Sequence, residues 1–385
     1  MKLSIGKSQL LLGLQRVQNV VERRTTMPIL SNALLRASNG PEGGRLYLAA
    51  TDLEVGIESM LPAAISDGGA ITVRARSLLD IVRELPESDV LLRSHEGSRL
   101  EIRSGKSVFN ILGLPAEDFP EIQGFATEAQ DFVRMNGEAV VSMLDKTLYA
   151  ASTDEARYHL NGVYFETVEQ KNADAPRRAF RMVATDAHRL ALVDNPETLF
   201  DDAGWKMFSE GIIVPRKGLN ELRRLLAEGK DDFFVAIRGK MMFVKRDTIF
   251  LSMRLIEGKY ADYRRIIPEV ASEAIAVDRE ALLHSLKRVS LMSSDKSRSV
   301  TLTACSGMLH LSSQSPELGD AKEELGVDYR GEEIRIGFNS RYLIDAVASI
   351  EGEKVLLELR GKQNPGVIRS AEGHNHTSVV MPMRI

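Results

Sequence analysis

The chain has 385 residues, and its 50 lysines and arginines against 54 aspartates and glutamates give a formal net charge of −4. This length favours two to three domains over a single core, and the negative balance argues against a nucleic-acid binder held by bulk positive charge. The single cysteine, Cys305, excludes an internal disulfide framework and suits a reducing cytosol. No apolar run reaches the length of a membrane span, and no cleavage site follows Leu10–Leu12. We therefore expect a cytoplasmic protein without a membrane anchor.

Helical periodicity recurs six times along the chain. The six patterns begin near Lys7 (KSQLLLGLQRVQNVV), Val73 (VRARSLLDIVREL), Asn136 (NGEAVVSMLDKTLYAAS), Val214 (VPRKGLNELRRLL), Asp278 (DREALLHSLKRVSLMSS) and Phe338 (FNSRYLIDAVASI). In the second pattern, Leu78, Ile81, Val82 and Leu85 have the spacing of a helix that is buried on one face. Asn136 and Asp278 are predicted N-caps, because a short side-chain acceptor can satisfy the first free backbone N–H groups.

Three of these helices are copies of one another. Aligned without gaps, they share a cation, a leucine two residues later and an acid two residues after that: Arg76, Lys217 and Arg341; Leu78, Leu219 and Leu343; Asp80, Glu221 and Asp345. The other three patterns correspond in the same way at Leu14, Leu144 and Leu286. Such a repeat indicates three copies of one domain.

Between the helices the hydrophobic period falls to two, as in RLYLAATDLEVGI and FRMVATDAHRLALV. Turn signals such as Asn39-Gly40 and Ser306-Gly307 separate these runs, which predicts antiparallel strands and hairpins. We therefore predict an α+β fold of three repeated domains, each with two helices and antiparallel sheets, over residues 1–122, 130–255 and 256–385. Their boundaries fall near the connectors Leu114–Ile122 and Gly258–Pro268, which we expect to be extended.

Cations concentrate on or just before the predicted helices. They are Arg16, Arg23, Arg24, Arg76, Arg83, Lys217, Arg223, Arg224, Lys287 and Arg288. Acids gather instead in predicted loops, as at Asp231-Asp232 and Glu332-Glu333. Solvated helix faces would explain any single pair of cations, but basic helices in at least two of the three repeats indicate a shared positive surface.

Catalytic and metal-binding patterns are nearly absent from the sequence. Gly105-Lys106-Ser107 ends like a phosphate-binding loop but lacks its earlier glycine. His374 and His376 have no obvious third ligand beside them. Asp186 and His188 resemble a base and its orienting group, but no serine or cysteine nucleophile is placed beside them. We predict no catalytic residue, no metal site and no cofactor.

Short motifs along the whole chain resemble the beta subunits of bacterial DNA polymerase III, the sliding-clamp family. They are Met27–Leu30 (MPIL), Thr51–Glu54 (TDLE), Asp118–Ile122 (DFPEI), Arg157–Gly162 (RYHLNG), Thr185–Leu190 (TDAHRL), Ile213–Gly218 (IVPRKG), Asp262–Arg265 (DYRR), Gly337–Asn339 (GFN) and Val379–Ile385 (VVMPMRI). The resemblance implies a ring of two crescent subunits joined head to tail, with helices lining the hole and sheets outside. Twelve helices of ~10 Å would leave an opening of about 28 Å, enough for one duplex and a layer of water.

The resemblance also implies where double-stranded DNA would be contacted, independently of its sequence. The matching residues are Arg24, Arg76, Arg83, Tyr158 and Lys217. Asp154 departs from the family pattern, because an acid facing DNA there would repel phosphate unless it pointed away. Contacts through such a gap reach phosphates and water, so they carry no sequence information.

A cleft for short peptide motifs is implied between the second and third domains. Its partners would be the polymerase III alpha subunit, clamp-loader subunits and other replication and repair proteins. The matching positions are Leu160, Thr185, His188, Arg189, Leu190, Arg265, Ile266, Asn339, Tyr342, Val379, Val380, Met381, Pro382 and Met383. Met381 would form a flexible floor or gate, and His188 and Arg189 would hold the polar part of the peptide. The aliphatic members could equally be core residues. Departures from the family pattern occur at Ala187, Ala261, Gln363 and Pro365.

A homodimer is implied through the two ends of the chain's crescent. The predicted contacts are Phe109 and Ile111 of the first domain and Leu291 and Met292 of the third. Opposite charges accompany them, with Arg103 and Lys106 on one end and Glu323 and Glu324 on the other. Such pairs set orientation more than affinity.

Two other function classes are compatible with parts of the sequence. A hydrolase that uses Asp186 and His188 would require a pocket and a nucleophile. A monomeric three-domain scaffold would share the peptide cleft but would not encircle DNA.

Overall fold

The computed structural model describes most of the chain in eleven ranges. These are residues 1–22, 26–41, 43–122, 132–172, 175–195, 199–200, 202–229, 231–268, 274–294, 298–372 and 375–384. The chain divides into two compact units: unit 1 contains Met1–Glu138 and Lys217–Leu255, and unit 2 contains Ala139–Arg216 and Ile256–Ile385. No helix in the described ranges has both the length and the apolar character needed to cross a membrane.

All six predicted helical patterns form α-helices, and one short helix is added to them. The helices of the described chain are α1 (Lys7–Gln18), α2 (Ala75–Glu84), α3 (Gly137–Thr147), α4 (Asp202–Met207), α5 (Arg216–Ala227), α6 (Arg279–Ser290) and α7 (Ser340–Ser349). The predicted N-cap Asp278 is confirmed, because its carboxylate accepts the N–H of Ala281 at 2.7 Å. The repeated helices α2, α5 and α7 begin two residues later than the patterns, since a strand runs directly into each.

The strands follow the predicted period of two. In chain order they are β1 (Lys2–Gly6), β2 (Asn32–Gly40), β3 (Gly43–Thr51), β4 (Val55–Pro62), β5 (Ala64–Asp67), β6 (Gly69–Arg74), β7 (Asp89–His95), β8 (Arg99–Ser104), β9 (Ser107–Leu114), β10 (Val133–Met135), β11 (Gly162–Asn172), β12 (Ala175–Thr185), β13 (Arg189–Asn195), β14 (Ile212–Pro215), β15 (Phe233–Arg238), β16 (Met241–Arg246), β17 (Ile249–Arg254), β18 (Ile275–Asp278), β19 (Ser299–Cys305), β20 (Met308–Ser315), β21 (Gly319–Gly326), β22 (Ile334–Asn339), β23 (Lys354–Glu358), β24 (Gly366–Ser370) and β25 (His376–Val380). Every pairing between them is antiparallel.

Unit 1 contains one long sheet. Its strand order is β10-β15-β16-β17-β4-β3-β2-β6-β9-β8-β7-β1-β5. Strands from the first and middle thirds of the chain meet where β17 pairs with β4, with Ser252 opposite Gly56 and Met253 opposite Val55. Hydrogen bonds therefore continue the sheet across the junction of the first and central repeats.

Unit 2 contains two sheets. The larger has the order β14-β11-β12-β13-β25-β24-β23-β18, and the smaller has the order β21-β20-β19-β22. The junction of the central and third repeats has the same design as in unit 1, because β13 pairs with β25, with Leu190 opposite Val379. The predicted α+β fold of three repeated domains is thereby confirmed.

Amphipathic helices cover the sheets in the way the spacing predicts. In unit 2, α6 packs against α7, and both bury aliphatic side chains such as Leu282, Leu286, Leu343 and Val347 in one core. In unit 1, α1 packs against α2 in the same manner. Burial of each such side chain contributes roughly 1.5–3 kcal/mol.

The two aromatic–proline connectors differ from the extended form that we expected. Each contains a short 3-10 helix, over Ala116–Asp118 in the first and Tyr263–Arg265 in the second. The reason is packing: Phe119 and Tyr263 are both buried, and a tight turn is needed to carry each aromatic ring into the core.

Candidate functional site

A tight turn between β12 and β13 forms one wall of the predicted cleft. The hydroxyl of Thr185 donates to the carbonyl of Arg189 at 2.7 Å and accepts the N–H of Ala187 at 3.1 Å. One carboxylate oxygen of Asp186 accepts the N–H groups of His188 at 2.9 Å and Arg189 at 3.0 Å. Ala187 closes the turn with a φ of 73°. The sequence TDAHR folds this way because threonine and aspartate side chains can replace backbone acceptors in a turn.

The opposite wall is the C-terminal segment. The N–H of Met381 donates to the carbonyl of His188 at 2.9 Å, and the N–H of Met383 donates to the carbonyl of Gly337 at 2.8 Å. The first bond extends the β13–β25 pairing beyond the end of the strand, and the second joins the segment to β22. The segment after Val380 is therefore held beside the turn by main-chain hydrogen bonds.

An apolar hollow lies between these two walls. It has a volume of about 180 Å³ and is lined by Thr185, Ala187, Arg189, Leu190, Ile266, Val379 and Met381. Leu190 and Val379 are buried in one hydrophobic cluster, and Ile266 packs against that cluster. Leu160 belongs to the same cluster. Six of the predicted cleft residues therefore line a single hollow: Thr185, Arg189, Leu190, Ile266, Val379 and Met381.

The guanidinium group of Arg189 is already occupied. It donates to Asp186 at 3.0 Å, to Asp345 at 2.7 Å and to the carbonyl of Tyr149 at 2.6 Å. It also lies 4.6 Å from the ring centre of Tyr342. Arg189 thus fastens the turn to α7, and its charge is neutralised by two carboxylates rather than left for a ligand.

Other predicted cleft residues have different surroundings. The exposed ring of His188 stacks on Tyr342, with ring centres 6.3 Å apart. The side chain of Asn339 accepts the N–H of Arg341 at 3.0 Å and so caps α7. The side chain of Arg265 is 86% exposed and lies 2.8 Å from Asp262. Pro382 and Met383 are half-buried.

Val380 does not face the hollow. It is fully buried in the core of the third repeat, with Phe338 and Leu343. Adjacent strand residues point to opposite faces of a sheet, so Val379 and Val380 serve different cores. The alternation could have been read from the sequence once Val379 was assigned to the cleft.

Aromatic residues that the sequence did not assign support the hollow from behind. Tyr260 is buried in its cluster and stacks on Tyr164 with ring centres 5.1 Å apart. Tyr263 donates to Glu166 and accepts from Arg181 at 3.0 Å. Burial raises the pKa of Tyr263 to about 12. The connector that carries Ile266 is thereby anchored, and the signal for it was the tyrosine spacing in GKYADYRR.

The predicted DNA-contacting residues are distributed over both units. In unit 1, Arg76 and Arg83 are exposed on α2 and flank the same acid, Asp80, at 3.8 and 3.3 Å. Lys217 is paired with the buried carboxylate of Asp52 and donates to the carbonyl of Val20 at 3.1 Å. Arg24 lies outside the described residues.

Unit 2 presents Tyr158 on a short 3-10 helix, Glu155–Leu160, with its ring 57% exposed. Asp154 caps this helix by accepting the N–H of Ala156 at 3.0 Å, and it lies 3.6 Å from Arg157. The departure at Asp154 therefore has a structural reason, since capping and pairing use its charge locally.

Further helix cations also have acidic partners within the chain. Arg16 lies 2.6 Å from Glu228, Arg224 lies 2.6 Å from Glu221, and Arg288 lies 2.5 Å from Glu323. At least six of the ten helix cations named from the sequence therefore have an acidic partner within the described residues, which partly offsets their attraction for phosphate.

Of the predicted dimer contacts, Phe109 and Ile111 lie on the edge strand β9, whereas Leu291 and Met292 follow the end of α6. Within the described chain, β9 pairs along its length with β8 and touches β6 only through Gly113 and Leu114. Within the described residues, β21 likewise pairs only with β20. Exposed apolar side chains accompany both edges: Val108, Phe109 and Leu112 on β9, and Leu291 and Leu318 near β21.

The charges expected across that interface are partly used within the chain. Glu323 pairs with Arg288, Glu324 lies 3.3 Å from His310, and Arg103 lies 3.2 Å from Glu101. A rearrangement of these pairs would be needed for them to meet a second copy.

The described residues support neither a hydrolase site at Asp186 and His188 nor a metal site. Asp186 uses its oxygens on turn N–H groups and on Arg189, so it does not orient the imidazole of His188. His376 is buried, His374 lies outside the described residues, and no group of three or more potential metal ligands occurs in the described ranges.

The chain matches three domain profiles of one family along its length. These are the N-terminal, central and C-terminal domains of the DNA polymerase III beta subunit, at residues 1–123, 134–262 and 264–384. A beta sliding clamp of Caulobacter vibrioides is 37% identical over 387 residues, with 100% of both chains covered.

Solved structures agree with this match. A sliding clamp (DNA polymerase III subunit beta) from Bartonella birtlesii bound to griselimycin has a TM-score of 0.90 and 35% identity, covering 100% of both chains. A DNA polymerase sliding clamp from Caulobacter crescentus has a TM-score of 0.88 and 36% identity, again covering 100% of both.

Proposed function

Since the chain belongs to the DNA polymerase III beta subunit family, we propose that it is a sliding clamp. Two copies form a ring around duplex DNA, and each copy tethers replication proteins through the hollow beside Leu190 and Val379. The observation that carries this proposal is the match along the entire chain, at 37% identity to a beta sliding clamp. The chain catalyses no reaction itself, and its contribution is processivity in the bacterial cytoplasm.

The tether is a short peptide segment of the polymerase III alpha subunit, a clamp-loader subunit or another replication or repair protein. The hollow's lining supports an apolar side chain as the anchor, because Leu190, Ile266 and Val379 form one hydrophobic cluster beside it. Met381 is half-buried at its rim, and an unbranched side chain with three rotatable bonds can move aside to enlarge it.

Polar groups around the hollow have separate tasks in this proposal. The exposed ring of His188, stacked on Tyr342, meets the peptide's polar flank, together with the exposed side chain of Arg265, which is paired with Asp262. Arg189 positions the turn rather than binding the peptide directly, as its three hydrogen-bonded partners indicate. Asn339 acts through its cap on α7.

The dimer forms by edge-to-edge pairing of β9 from one copy with β21 of the other. Within the described residues the outer side of each strand has no strand partner over most of its length, and exposed strand edges associate readily. Phe109 and Ile111 would pack against Leu291 and Met292 to supply an apolar core for this interface. Two such contacts close a ring, since the ends are different and complementary.

Duplex DNA passes through the ring without tight binding. Arg76, Arg83 and Tyr158 are exposed and suited to water-mediated phosphate contacts. Lys217 and Arg24 remain predictions from the family pattern, and the pairing of Lys217 with Asp52 limits what it can contribute.

Retention on circular DNA tests the proposal. The clamp is loaded onto a nicked plasmid by the ATP-driven clamp loader, separated from free protein by gel filtration, and the plasmid is then cut once. A topological link predicts that the clamp elutes with the circle and is released by the cut. Equal retention on circular and linear DNA would show ordinary surface binding and overturn encirclement.

A further inference from the structure

The turn that forms the peptide cleft has a copy in unit 1. In the sequence TDLEV, the hydroxyl of Thr51 donates to the carbonyl of Val55 at 3.0 Å and accepts the N–H of Leu53 at 2.9 Å. Asp52 accepts the N–H groups of Glu54 and Val55 at 2.9 and 2.6 Å. Leu53 has a φ of 76°, against 73° for Ala187 in the cleft turn.

The surrounding strands repeat the cleft as well. Gly56 is opposite Ser252 in β4 and β17, as Leu190 is opposite Val379 in β13 and β25. The N–H of Arg254 donates to the carbonyl of Glu54 at 2.8 Å, as that of Met381 does to His188. The connector DFPEI brings Ile122 to the position that DYRRI gives to Ile266.

A second hollow results, and we call it the Gly56 hollow. It is lined by Thr51, Leu53, Glu54, Gly56, Pro120, Glu121, Ile122, Met241, Ser252 and Arg254. Its volume is about 920 Å³, against about 180 Å³ for the cleft. In its floor Gly56 and Ser252 take the places that Leu190 and Val379 have in the cleft, and Ile122 lies directly over Gly56.

The floor of this hollow depends on Gly56 having no side chain. A Cβ atom added there would lie 2.8 Å from the hydroxyl of Ser252 and 3.0 Å from a methyl carbon of Ile122. Both distances are too short for ordinary contact, so any larger residue would fill the hollow or push its walls apart.

The lining combines apolar and acidic groups. Leu53, Ile122 and Met241 offer an apolar surface, and the side chain of Leu53 is 48% exposed. Glu54 lies 3.7 Å from Arg254, and both side chains are at least half exposed, so this pair is weak. Among the described residues, Glu121 forms no ion pair. Two acids against one cation give the hollow a net charge of −1.

We propose that the Gly56 hollow is a second peptide-docking site, for an extended segment with a bulky apolar side chain beside a lysine or arginine. The apolar side chain packs against Leu53, Ile122 and Met241. The neighbouring cation reaches Glu121 and Glu54 at the rim. This site is separate from the cleft at Leu190 and takes a larger, basic-flanked anchor.

Methionine methyl NMR distinguishes the two sites in one sample. The intact protein is labelled at the methionine methyl carbons, and the signals of Met241 and Met381 are assigned by substituting each with leucine. The probe is the blocked peptide GKFKG, with GEFEG as its charge-reversed control. We expect GKFKG to shift the Met241 signal in a saturable way while GEFEG leaves it in place. A shift of Met381 alone, or equal shifts of Met241 by both peptides, would overturn the proposal.

Two substitutions locate the binding. Glu121→Lys changes only an exposed charge and should weaken GKFKG about fivefold. Gly56→Val should abolish the Met241 shift by filling the floor. Because Gly56→Val could also disturb folding, its binding of a polymerase-derived peptide at the cleft is measured in the same sample.

The matched control acts on the cleft instead. Met381→Ala should weaken the polymerase-derived peptide and leave the Met241 response to GKFKG unchanged. Unaltered GKFKG affinity in Glu121→Lys, or loss of the Met241 response in Met381→Ala, would contradict a second independent site. Failure here leaves the clamp function untouched, since ring formation and the cleft are measured separately.

Discussion

Ala187 has a φ of 73°, in the left-handed region where an L side chain costs about 1–2 kcal/mol. Glycine adopts this conformation without that cost but loses about 0.4–1 kcal/mol through its greater freedom in the unfolded chain. We expect Ala187→Gly to raise the free energy of unfolding by about 0.5–1 kcal/mol, measured by urea denaturation. Ala191→Gly in β13 is the control and should destabilise, because Ala191 is buried in a regular strand. Destabilisation by both variants would contradict strain at Ala187.

His376 gives the protein a dependence on pH. Burial lowers the pKa of its imidazole from 6.5 to about 4, and the nearby ammonium of Lys146 acts in the same direction. Between about pH 6.5 and about pH 4, His376 therefore binds a proton in the unfolded chain but not in the folded chain. This effect leaves the free energy of unfolding unchanged above about pH 7. It lowers that free energy as the pH drops through 6.5 towards 4, by about 3 kcal/mol in total.

The non-titrating variant His376→Gln isolates this effect. Its free energy of unfolding is compared with that of the parent protein from about pH 8 to about pH 4. The parent should lose stability relative to the variant on acidification. A difference that stays constant over this range would show that His376 titrates normally in the folded protein.

Several side-chain roles could not be predicted from the sequence because they depend on distances between remote residues. Arg189 looked available for a ligand, yet Asp345 and Tyr149, which are far from it in the chain, occupy its guanidinium. Asp154 looked unfavourable near DNA until its cap on Ala156 was seen. Both roles depend on contacts with residues that a sequence pattern does not place beside them.

At the level of elements, the end of β25 separates core from cleft. Val379 lines the hollow, Val380 is buried in the third repeat's core, and Met381 is half-buried at the rim. Met381→Ala should weaken a polymerase-derived peptide roughly tenfold, or about 1.4 kcal/mol, with little change in melting temperature. Val380→Ala is the control and should lower the melting temperature while folded protein binds normally. Normal peptide binding by Met381→Ala would remove Met381 from the cleft.

The edge strand β9 and the end of α6 carry a prediction about assembly. Glutamates at Ile111 and Met292 would place charges without partners in the apolar part of the proposed interface, which strongly disfavours association. The double variant Ile111→Glu, Met292→Glu should sediment as a monomer. Phe234→Glu is the control, since Phe234 is exposed on β15 but β15 is paired on both sides. A double variant that still sediments as a dimer would exclude this interface.

The repeated helices were the most predictable elements, because each copy has apolar residues at helical spacing. The equivalent leucine of each copy, Leu78, Leu219 or Leu343, is buried. The turns TDLEV and TDAHR were not predicted, because both lie inside runs whose hydrophobic period of two indicates continuous strand. What the sequence did not show is that both turns stand beside hollows of different size, since this depends on which strand pairs with which.

For the whole molecule, paired cations predict weak dependence of DNA binding on salt. Arg76 and Arg83 share Asp80, and Arg16 and Arg288 have acidic partners. Few counterions are then released from the DNA when the protein binds. The slope of the logarithm of the association constant against the logarithm of the salt concentration should therefore be no steeper than about −3 for linear duplex DNA, measured by fluorescence anisotropy. Asp80→Asn frees Arg76 and Arg83 and should steepen the slope. A steep slope in the parent protein, unchanged by Asp80→Asn, would contradict this account.

Internal pairing on the helices also bears on how fast a ring could travel. A cation that carries its own carboxylate does not need to break an ionic contact with each phosphate that it passes. Movement along the duplex is then opposed chiefly by viscous drag as the protein follows the DNA. The one-dimensional diffusion coefficient should therefore vary little with ionic strength. The acidic partners that the fold places beside these cations would then set how easily the protein slides along DNA.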